Sequence, residues 1–224
     1  MKEFAIEGKK ITVYPSSTAD RPFIYLNTFS DEGKQVHHNL LGQKCPDFTL
    51  VTVCGLNWDH DLSPWKAPAV FSGDSDFQGK ADSFLELLTG KIIPQAEAEA
   101  YGKIPWRGIA GYSLAGLFAI YSLFRTDLFL RAASISGSLW FPHFKEYVHS
   151  AGLRCLPECV YFSIGDKECR TENPYLRTVL RSTEEIAAFF KSQNINTAFQ
   201  LNTGGHYTDT DARSAAGIRW ILEK

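Results

Sequence analysis

The chain has 224 residues, of which 44 % are hydrophobic, and a formal net charge of −2 at pH 7. A chain of this length buries roughly 70 to 75 % of the surface of its unfolded state, so we expect a single domain spanning residues 1–224. The balanced charge excludes the basic surface by which proteins bind nucleic acids or anionic membranes.

The amino-terminal residues and the cysteines indicate the compartment. Residues 1–10, MKEFAIEGKK, lack the apolar run of a signal peptide, and no stretch approaches the roughly 18 apolar residues of a membrane-spanning helix. The five cysteines are odd in number, which favours free thiols. We therefore expect a soluble, cytoplasmic protein.

The first part of the chain predicts a sheet edge followed by two buried strands. Residues 4–14 alternate apolar and polar side chains on both sides of Gly8, as an antiparallel hairpin does. Residues 22–26 (PFIYL) and 48–53 (FTLVTV) are nearly continuous apolar runs, typical of parallel strands covered on both faces. Residues 32–41 between them fit a crossover helix.

Residues 55–80 form a long connection without hydrophobic periodicity. Connections of this length inside a compact domain are usually functional. We predict that this loop folds over the strand ends and brings Trp58 and Trp65 to the rim of a substrate pocket. The alternative is that the two indoles only close the end of the sheet.

From residue 81 onward, helical and strand-like segments alternate. The helical segment 81–100 is expected to bend near Gly90 and Pro94. The segments that follow are a strand ending at 109–110, a helix over 114–124, a strand over 132–136, a short helix over 143–150, a strand over 160–164, a helix starting at Asn173-Pro174, a strand over 198–201 and a helix over 211–222. This order predicts an α/β fold with a doubly wound, mostly parallel sheet, helices on both faces and the antiparallel hairpin at its edge.

Residues 111–116, GYSLAG, have the form of a nucleophile elbow, in which a sharp strand-to-helix turn presents a serine. Gly111 removes the side chain that would collide there, while Ala115 stands where the motif has glycine. The amide of Leu114, at the start of the helix, is the natural first donor of an oxyanion hole around Ser113. Taken alone, the string also fits an ordinary glycine-rich strand–helix junction.

Two later strands end in the residues that would activate this serine. The strand over 160–164 runs into Asp166 and Glu168, and the strand over 198–201 runs into His206. The order serine, acid, histidine is that of an α/β-hydrolase triad, and functional residues collect at the carboxyl ends of parallel strands. Spacing does not decide between the two acids.

A family resemblance covers almost the whole chain from about Phe23. It is carried by the segments FIYLNTF, GLNWDHDLSPW, LLTGKIIPQAEAEAYG, GIAGYSLAGLFAIYSLF, SISGSLWFP, FSIGDKECRTENPYLRTV and NTGGHYTD. Together they resemble the putative esterase branch of the α/β-hydrolase superfamily. Esterase D-type enzymes, feruloyl esterases and ferric-enterobactin esterases belong to this branch.

The resemblance implies roles for further residues. The position of the acid in the family matches Glu168 rather than Asp166. The second oxyanion donor would be a backbone amide of Thr28 or Phe29, although Asn27-Thr28 replaces a frequent His-Gly pair.

The residues beside the nucleophile complete the predicted substrate pocket. Trp140, in the segment SGSLW, is expected at the pocket mouth together with Tyr112. The alternative for Trp140 is an aromatic side chain that caps the sheet.

We expect a serine esterase that cleaves carboxylic esters of small molecules through an acyl-enzyme, with neither metal nor organic cofactor. A thioesterase, an acyltransferase or a siderophore trilactone esterase would use the same nucleophile. Large anionic siderophores would call for a cationic pocket, for which Arg107, Lys167 and Arg170 are candidates. A binding protein that has lost catalysis is the remaining alternative.

Metal sites find little support in the sequence. The cysteines form no C-x-x-C pair that would hold zinc, and Asp74 to Asp76 fail as a calcium loop because Leu85 stands where a glutamate is needed.

Overall fold

The structure is a computed structural model that describes residues 1–70, 73–98 and 100–224. Residues 71, 72 and 99, which belong to the predicted loop and to the predicted helix after it, lie outside the described residues. Ten strands occur in the described part: β1 Lys2–Ile6, β2 Lys9–Tyr14, β3 Phe23–Asn27, β4 Thr49–Cys54, β5 Lys66–Ala67, β6 Phe77–Gln78, β7 Arg107–Tyr112, β8 Arg131–Ile135, β9 Cys159–Gly165 and β10 Asn196–Asn202.

Eight of these described strands form one sheet in the order β1-β2-β4-β3-β7-β8-β9-β10. The strands from β4 to β10 in this order are parallel, while β1 pairs with β2 and β2 with β4 in antiparallel register. The predicted mostly parallel sheet with an antiparallel hairpin at its edge is therefore confirmed. The parallel order places the carboxyl ends of β3, β7, β8, β9 and β10 along one edge of the sheet.

Helices cover both faces of the sheet. The α-helices are α1 Gly33–Gly42, α2 Trp58–Asp61, α3 Ala81–Leu87, α4 Ile93–Glu97, α5 Leu114–Ser122, α6 Phe144–Ser150, α7 Val179–Ser192 and α8 Thr210–Leu222. On one face, Val36 of α1 and Ile218 of α8 pack in one core with Ile24 of β3. The other core holds Phe84 of α3 and Phe118 of α5, which pack against each other at a ring distance of 5.1 Å. The apolar strands are covered on both sides, as their composition predicts.

Three segments differ in detail from the prediction. The helix expected to start at Asn173-Pro174 begins instead at Val179, after a 3-10 turn over Leu176–Thr178. The connection over 55–80 contains the short helix α2 and the two-residue pair β5–β6, elements too short to leave a periodic pattern. The helix predicted over 81–100 is interrupted by a π-helical turn, Leu88–Ile92, between α3 and α4. Pro94 has no amide hydrogen with which to continue the α-helical ladder, which accounts for a break near the predicted bend.

A search of the described helices finds none with the length and apolar character needed to cross a bilayer. The described residues also contain no group of three or more His, Cys, Asp or Glu side chains placed to hold a metal ion.

Candidate active site

Ser113 occupies the turn between β7 and α5 in a backbone conformation that non-glycine residues rarely adopt, with φ 59° and ψ −124°. The turn is fixed because the Ser113 amide donates to the carbonyl of Ile135 in β8 at 3.1 Å. A Cβ atom at Gly111 would lie 2.3 Å from the backbone of Ala115, so this position requires glycine. The methyl group of Ala115 itself is fully buried and is accommodated.

The structure brings the predicted serine, histidine and Glu168 into one hydrogen-bonded chain. Nε2 of His206 lies 3.1 Å from Oγ of Ser113, and Nδ1 lies 2.7 Å from Oε2 of Glu168. With the proton on Nδ1, the imidazole donates to the carboxylate and leaves Nε2 free to accept the serine proton. The histidine side chain is 30 % exposed while the glutamate side chain is 4 % exposed, so only the serine end of the chain faces solvent.

Glu168 is buried, and its carboxylate accepts several hydrogen bonds. Its Oε1 accepts hydrogen bonds from the Gly165 amide at 2.7 Å and the Ser136 hydroxyl at 2.8 Å. Burial by itself raises the pKa of this carboxyl, but the bonds from His206, Gly165 and Ser136 outweigh burial and hold the pKa below its ordinary value. The carboxylate is therefore ionised and able to orient the imidazole.

Asp166, the other acid of the same bend, faces elsewhere. Its Oδ1 accepts the amide of Gly204 at 2.7 Å, and its own amide donates to the carbonyl of Asn202. Asp166 therefore ties the turn after β9 to the turn after β10, and it makes no bond to His206.

Arg213 of α8 is a buried residue of the site that sequence reasoning missed. Its guanidinium donates to the carbonyls of Gly205 at 3.1 Å and Thr203 at 3.0 Å, and lies 3.5 Å from Oε1 of Glu168. It thus holds the backbone that carries His206. The available signal was an arginine in line with the apolar face of the last predicted helix, where a charged side chain needs a buried partner.

Ser136 and Ser138, which follow β8, were also missed as polar groups of the site. Ser136 has a positive φ of 43° and directs its hydroxyl to Glu168. Oγ of Ser138 lies 3.4 Å from Oγ of Ser113. The sequence SGS after a predicted strand was the signal for a tight turn at this edge.

Tyr112 also supports the histidine. Its hydroxyl donates to the backbone carbonyl of His206 at 2.6 Å. Burial raises the pKa of this phenol, which keeps the donor proton in place. Tyr112 lines the cavity beside Ser113 and also fixes the loop that carries the imidazole.

The oxyanion donors expected from the sequence differ in availability. Leu114 is the first residue of α5, and its amide has no acceptor among the described residues. The Thr28 amide is not free, because it donates to the Val53 carbonyl of β4 at 2.9 Å. The Phe29 amide is bonded to Oε1 of Glu32 at 2.7 Å. In this conformation neither candidate for the second donor points a free N–H at Ser113.

A cavity of about 460 Å³ opens beside Ser113. Trp58, Tyr112 and Trp140 line it together with other residues of the 55–80 connection such as Phe77. Trp65 does not line it, which corrects the prediction for this indole. Its Nε1 donates to the Pro142 carbonyl at 2.9 Å, and its ring packs among Phe141, Phe144 and Tyr147.

A second cavity, of about 240 Å³, lies next to the first. Five residues line both cavities: Ser113, Ser138, Trp140, His206 and Tyr207. Leu176, in the 3-10 turn before α7, and Val179, the first residue of α7, line only the second. The serine hydroxyl therefore stands between two spaces.

The basic residues considered for an anionic substrate are not at these cavities. Arg107 lies at the opposite end of β7, where it forms an ion pair with Glu97. Lys167 and Arg170 are exposed and line neither cavity. The expected cationic pocket is absent from the described residues that line these two spaces.

Comparison with known proteins identifies the family. The family model Esterase, described as "Putative esterase", matches residues 29–207. The protein YbbA of Bacillus subtilis (strain 168), described as uncharacterized, is 25 % identical over 205 residues, which cover 86 % of this chain and 82 % of YbbA.

Solved structures of similar fold include proteins named as hydrolases. An IroE-like serine hydrolase from Shewanella oneidensis superimposes with a TM-score of 0.78 at 16 % identity, covering 99 % of this chain and 79 % of its own. The siderophore hydrolase EstA from Aspergillus nidulans gives a TM-score of 0.74 at 16 % identity, with 99 % and 93 % covered. At this identity the likeness establishes the shared fold.

Proposed function

The chain belongs to the esterase family of the α/β-hydrolase superfamily and is an ester-hydrolysing enzyme, and from this premise we propose that it cleaves carboxylic esters through an acyl-enzyme formed on Ser113. His206 serves as the base and Glu168 orients it. The observation that carries the proposal is the continuous hydrogen-bond chain from Oγ of Ser113 through the imidazole to the buried carboxylate.

In the first half of the reaction, Oγ of Ser113 attacks the ester carbonyl carbon while its proton moves to Nε2 of His206. The carbonyl electron pair becomes an oxyanion, which the free amide of Leu114 stabilises at the start of α5. The carbon–oxygen bond to the alcohol then breaks, and the alcohol leaves with the proton from His206. Glu168 stabilises the imidazolium that exists between these steps.

In the second half, a water molecule gives its proton to Nε2 of His206 and attacks the acyl-enzyme carbonyl. The tetrahedral intermediate collapses, the proton returns to Oγ of Ser113, and a carboxylic acid is released.

The two cavities support a substrate with a substantial group on each side of the ester. Ser113 and His206 lie on the boundary between the space of about 460 Å³ and that of about 240 Å³, so the acyl and the alcohol parts each have room. Thioesters and alternative acyl acceptors would use the same nucleophile, and the structure offers no feature that favours them.

Siderophore hydrolysis is a second candidate because solved structures of the same fold carry that name. The described residues that line the two cavities include no Lys or Arg side chain. This argues against a large anionic siderophore as the substrate.

The test is the variant Ser113→Ala, which should abolish hydrolysis of a nitrophenyl ester and labelling by a fluorophosphonate probe. Ser138→Ala is the matched control, because its hydroxyl lies 3.4 Å from that of Ser113 but makes no bond to His206. We expect the probe still to label Ser138→Ala. Undiminished turnover in Ser113→Ala would refute the proposal.

A further inference from the structure

The larger cavity is lined by four carboxylates that have no cationic partner among the described residues. They are Glu32 at the start of α1, Asp59 of α2, Asp74 of the connection and Asp211 of α8. None of the four takes part in an ion pair, whereas Glu185, for comparison, pairs with both Lys145 and Arg181. No described Lys or Arg side chain lines this cavity.

The four carboxylates also repel one another. Burial and then the neighbouring Asp74 raise the pKa of Asp59, and burial and then Glu32 raise the pKa of Asp211. Two pairs of like charge therefore face the same space, and each pair lacks the positive charge that would relieve the repulsion. A cation in the cavity would interact favourably with both pairs.

Aromatic side chains form much of the remaining wall. Trp58, Phe77 and Trp140 lie along it, and the exposed rings of Phe29 and Tyr207 stand at its opening. Phe29 meets Trp58 edge-to-face at 5.4 Å. The faces of such rings attract organic cations, and walls that combine aromatic rings with carboxylates are suited to substituted ammonium groups.

Asn27, at the end of β3, is an independent sign that a ligand belongs in this space. It lines the cavity and is 1 % exposed, yet neither atom of its carboxamide has a hydrogen-bond partner among the described residues. An unpaired buried amide costs about 1 to 3 kcal/mol, so this carboxamide calls for a polar partner that the described residues do not provide.

Resting on the proposed function, we propose that the preferred ester carries a substituted ammonium group, which enters the larger cavity while its carbonyl meets Ser113. The carboxylates supply the charge, and the aromatic wall supplies the contact with the methylated or alkylated nitrogen. An anionic ester is disfavoured by the same charges.

The test measures how fast the wild-type enzyme hydrolyses three nitrophenyl esters of nearly equal length. They are those of trimethylammoniobutanoic acid, of the isostere in which a tert-butyl group replaces the trimethylammonium group, and of glutaric acid as its monoester. We expect kcat/KM for the cationic ester to exceed that of the uncharged isostere by about tenfold, with the anionic ester slowest. Choline butyrate against its uncharged dimethylbutyl counterpart repeats the comparison with the cation on the alcohol side.

The outcomes separate this inference from the proposed function. Hydrolysis of the uncharged isostere without preference for the cation on either side overturns the inference alone. Hydrolysis of none of these esters, together with failure of fluorophosphonate labelling, overturns both.

Variants locate the source of the preference. Combining Asp59→Asn with Asp211→Asn should reduce the cationic advantage to about threefold or less, as should high salt. Asp127→Asn, an exposed aspartate in the turn before β8, is the matched control and should keep the ratio. A ratio that stays at tenfold in the double variant would contradict the assignment to these carboxylates.

Discussion

Oε2 of Glu168 lies 2.7 Å from Nδ1 of His206, whereas Asp166, two residues earlier in the same bend, is bonded to the amide of Gly204. The two acids cannot be told apart by their spacing from the strand, but their side chains leave the turn in different directions. One faces the imidazole and the other fastens two loops together.

Glu168→Gln should therefore lower kcat by about three to four orders of magnitude, because an amide neither stabilises the imidazolium nor fixes the tautomer. Asp166→Asn keeps an acceptor for the Gly204 amide and should cost less than about tenfold. Both are measured as steady-state hydrolysis of a nitrophenyl ester. A severe effect of the Asp166 change with a mild one at Glu168 would reverse the assignment.

The same carboxylate makes a prediction for stability against pH. Because the folded state holds the pKa of Glu168 below its ordinary value of 4.5, the ionised form stabilises the folded state. This contribution is complete above the ordinary value and is lost as the pH falls below it through the folded pKa. Urea unfolding over a pH series should show the advantage of the wild type over Glu168→Gln shrinking in that acidic range. An advantage that grows as the pH falls would contradict the sign.

Tyr112→Phe should impair turnover more than binding. The variant loses the bond from the hydroxyl to the His206 carbonyl, so the imidazole is held less firmly over Ser113. We expect kcat to fall by about tenfold with a smaller change in KM, and the free energy of unfolding to fall by about 1 kcal/mol. Tyr121→Phe is the control, because it loses a bond of 2.8 Å to Asp82 away from the cavities. It should show the loss of stability without the loss of kcat.

The elbow and the strand ends were predictable because their signals are local. The turn in GYSLAG needs small residues two positions before and two positions after Ser113, because Gly111 and Ala115 approach each other closely. Alternating strands and helices then imply parallel order, which gathers Ser113, His206 and the 166–168 bend at one edge of the sheet.

The parts that sequence could not supply depend on side-chain direction between distant segments. Trp58 and Trp65 lie in one aperiodic connection, and only the fold decides that the first faces the cavity while the second packs on Pro142 and Phe144. Likewise, Arg213 lies on the apolar face of α8 and Arg219, six residues later, is half-buried, but only the fold shows that Arg213 reaches Glu168 and the loop that carries His206.

These two arginines of α8 provide a paired test. Arg213→Met removes the donors to the carbonyls of Thr203 and Gly205 and the cation beside Glu168, so unfolding should become easier by about 3 kcal/mol or more. Arg219→Met breaks an exposed pair with Glu223, worth less than about 0.5 kcal/mol. Urea unfolding of both variants checks the difference. Equal effects would mean that Arg213 does not hold the loop as described.

The last prediction concerns the loop after β3, in which the side chain of Glu32 accepts backbone amides. Glu32 accepts the amides of Phe29 and Ser30 at 2.7 Å each, so the amide that the family resemblance offers as second oxyanion donor is already bonded to a carboxylate. Glu32→Ala would release the Phe29 amide and remove a negative charge from the cavity in which the oxyanion forms.

For an uncharged nitrophenyl ester we expect Glu32→Ala to raise kcat by about threefold, while stability falls by about 1 kcal/mol through the lost charge-assisted bonds. Glu32→Gln keeps the length of the side chain and one acceptor oxygen. Its kcat and its stability should therefore lie between those of Glu32→Ala and the wild type. A drop in kcat for Glu32→Ala would mean that catalysis needs the loop in which Glu32 binds the amides of Phe29 and Ser30. The second oxyanion donor would then lie elsewhere. Because Glu32 is also one of the four carboxylates that line the larger cavity, Glu32→Ala should weaken the preference for a cationic ester as well. Assays with charged and uncharged esters therefore separate the two effects.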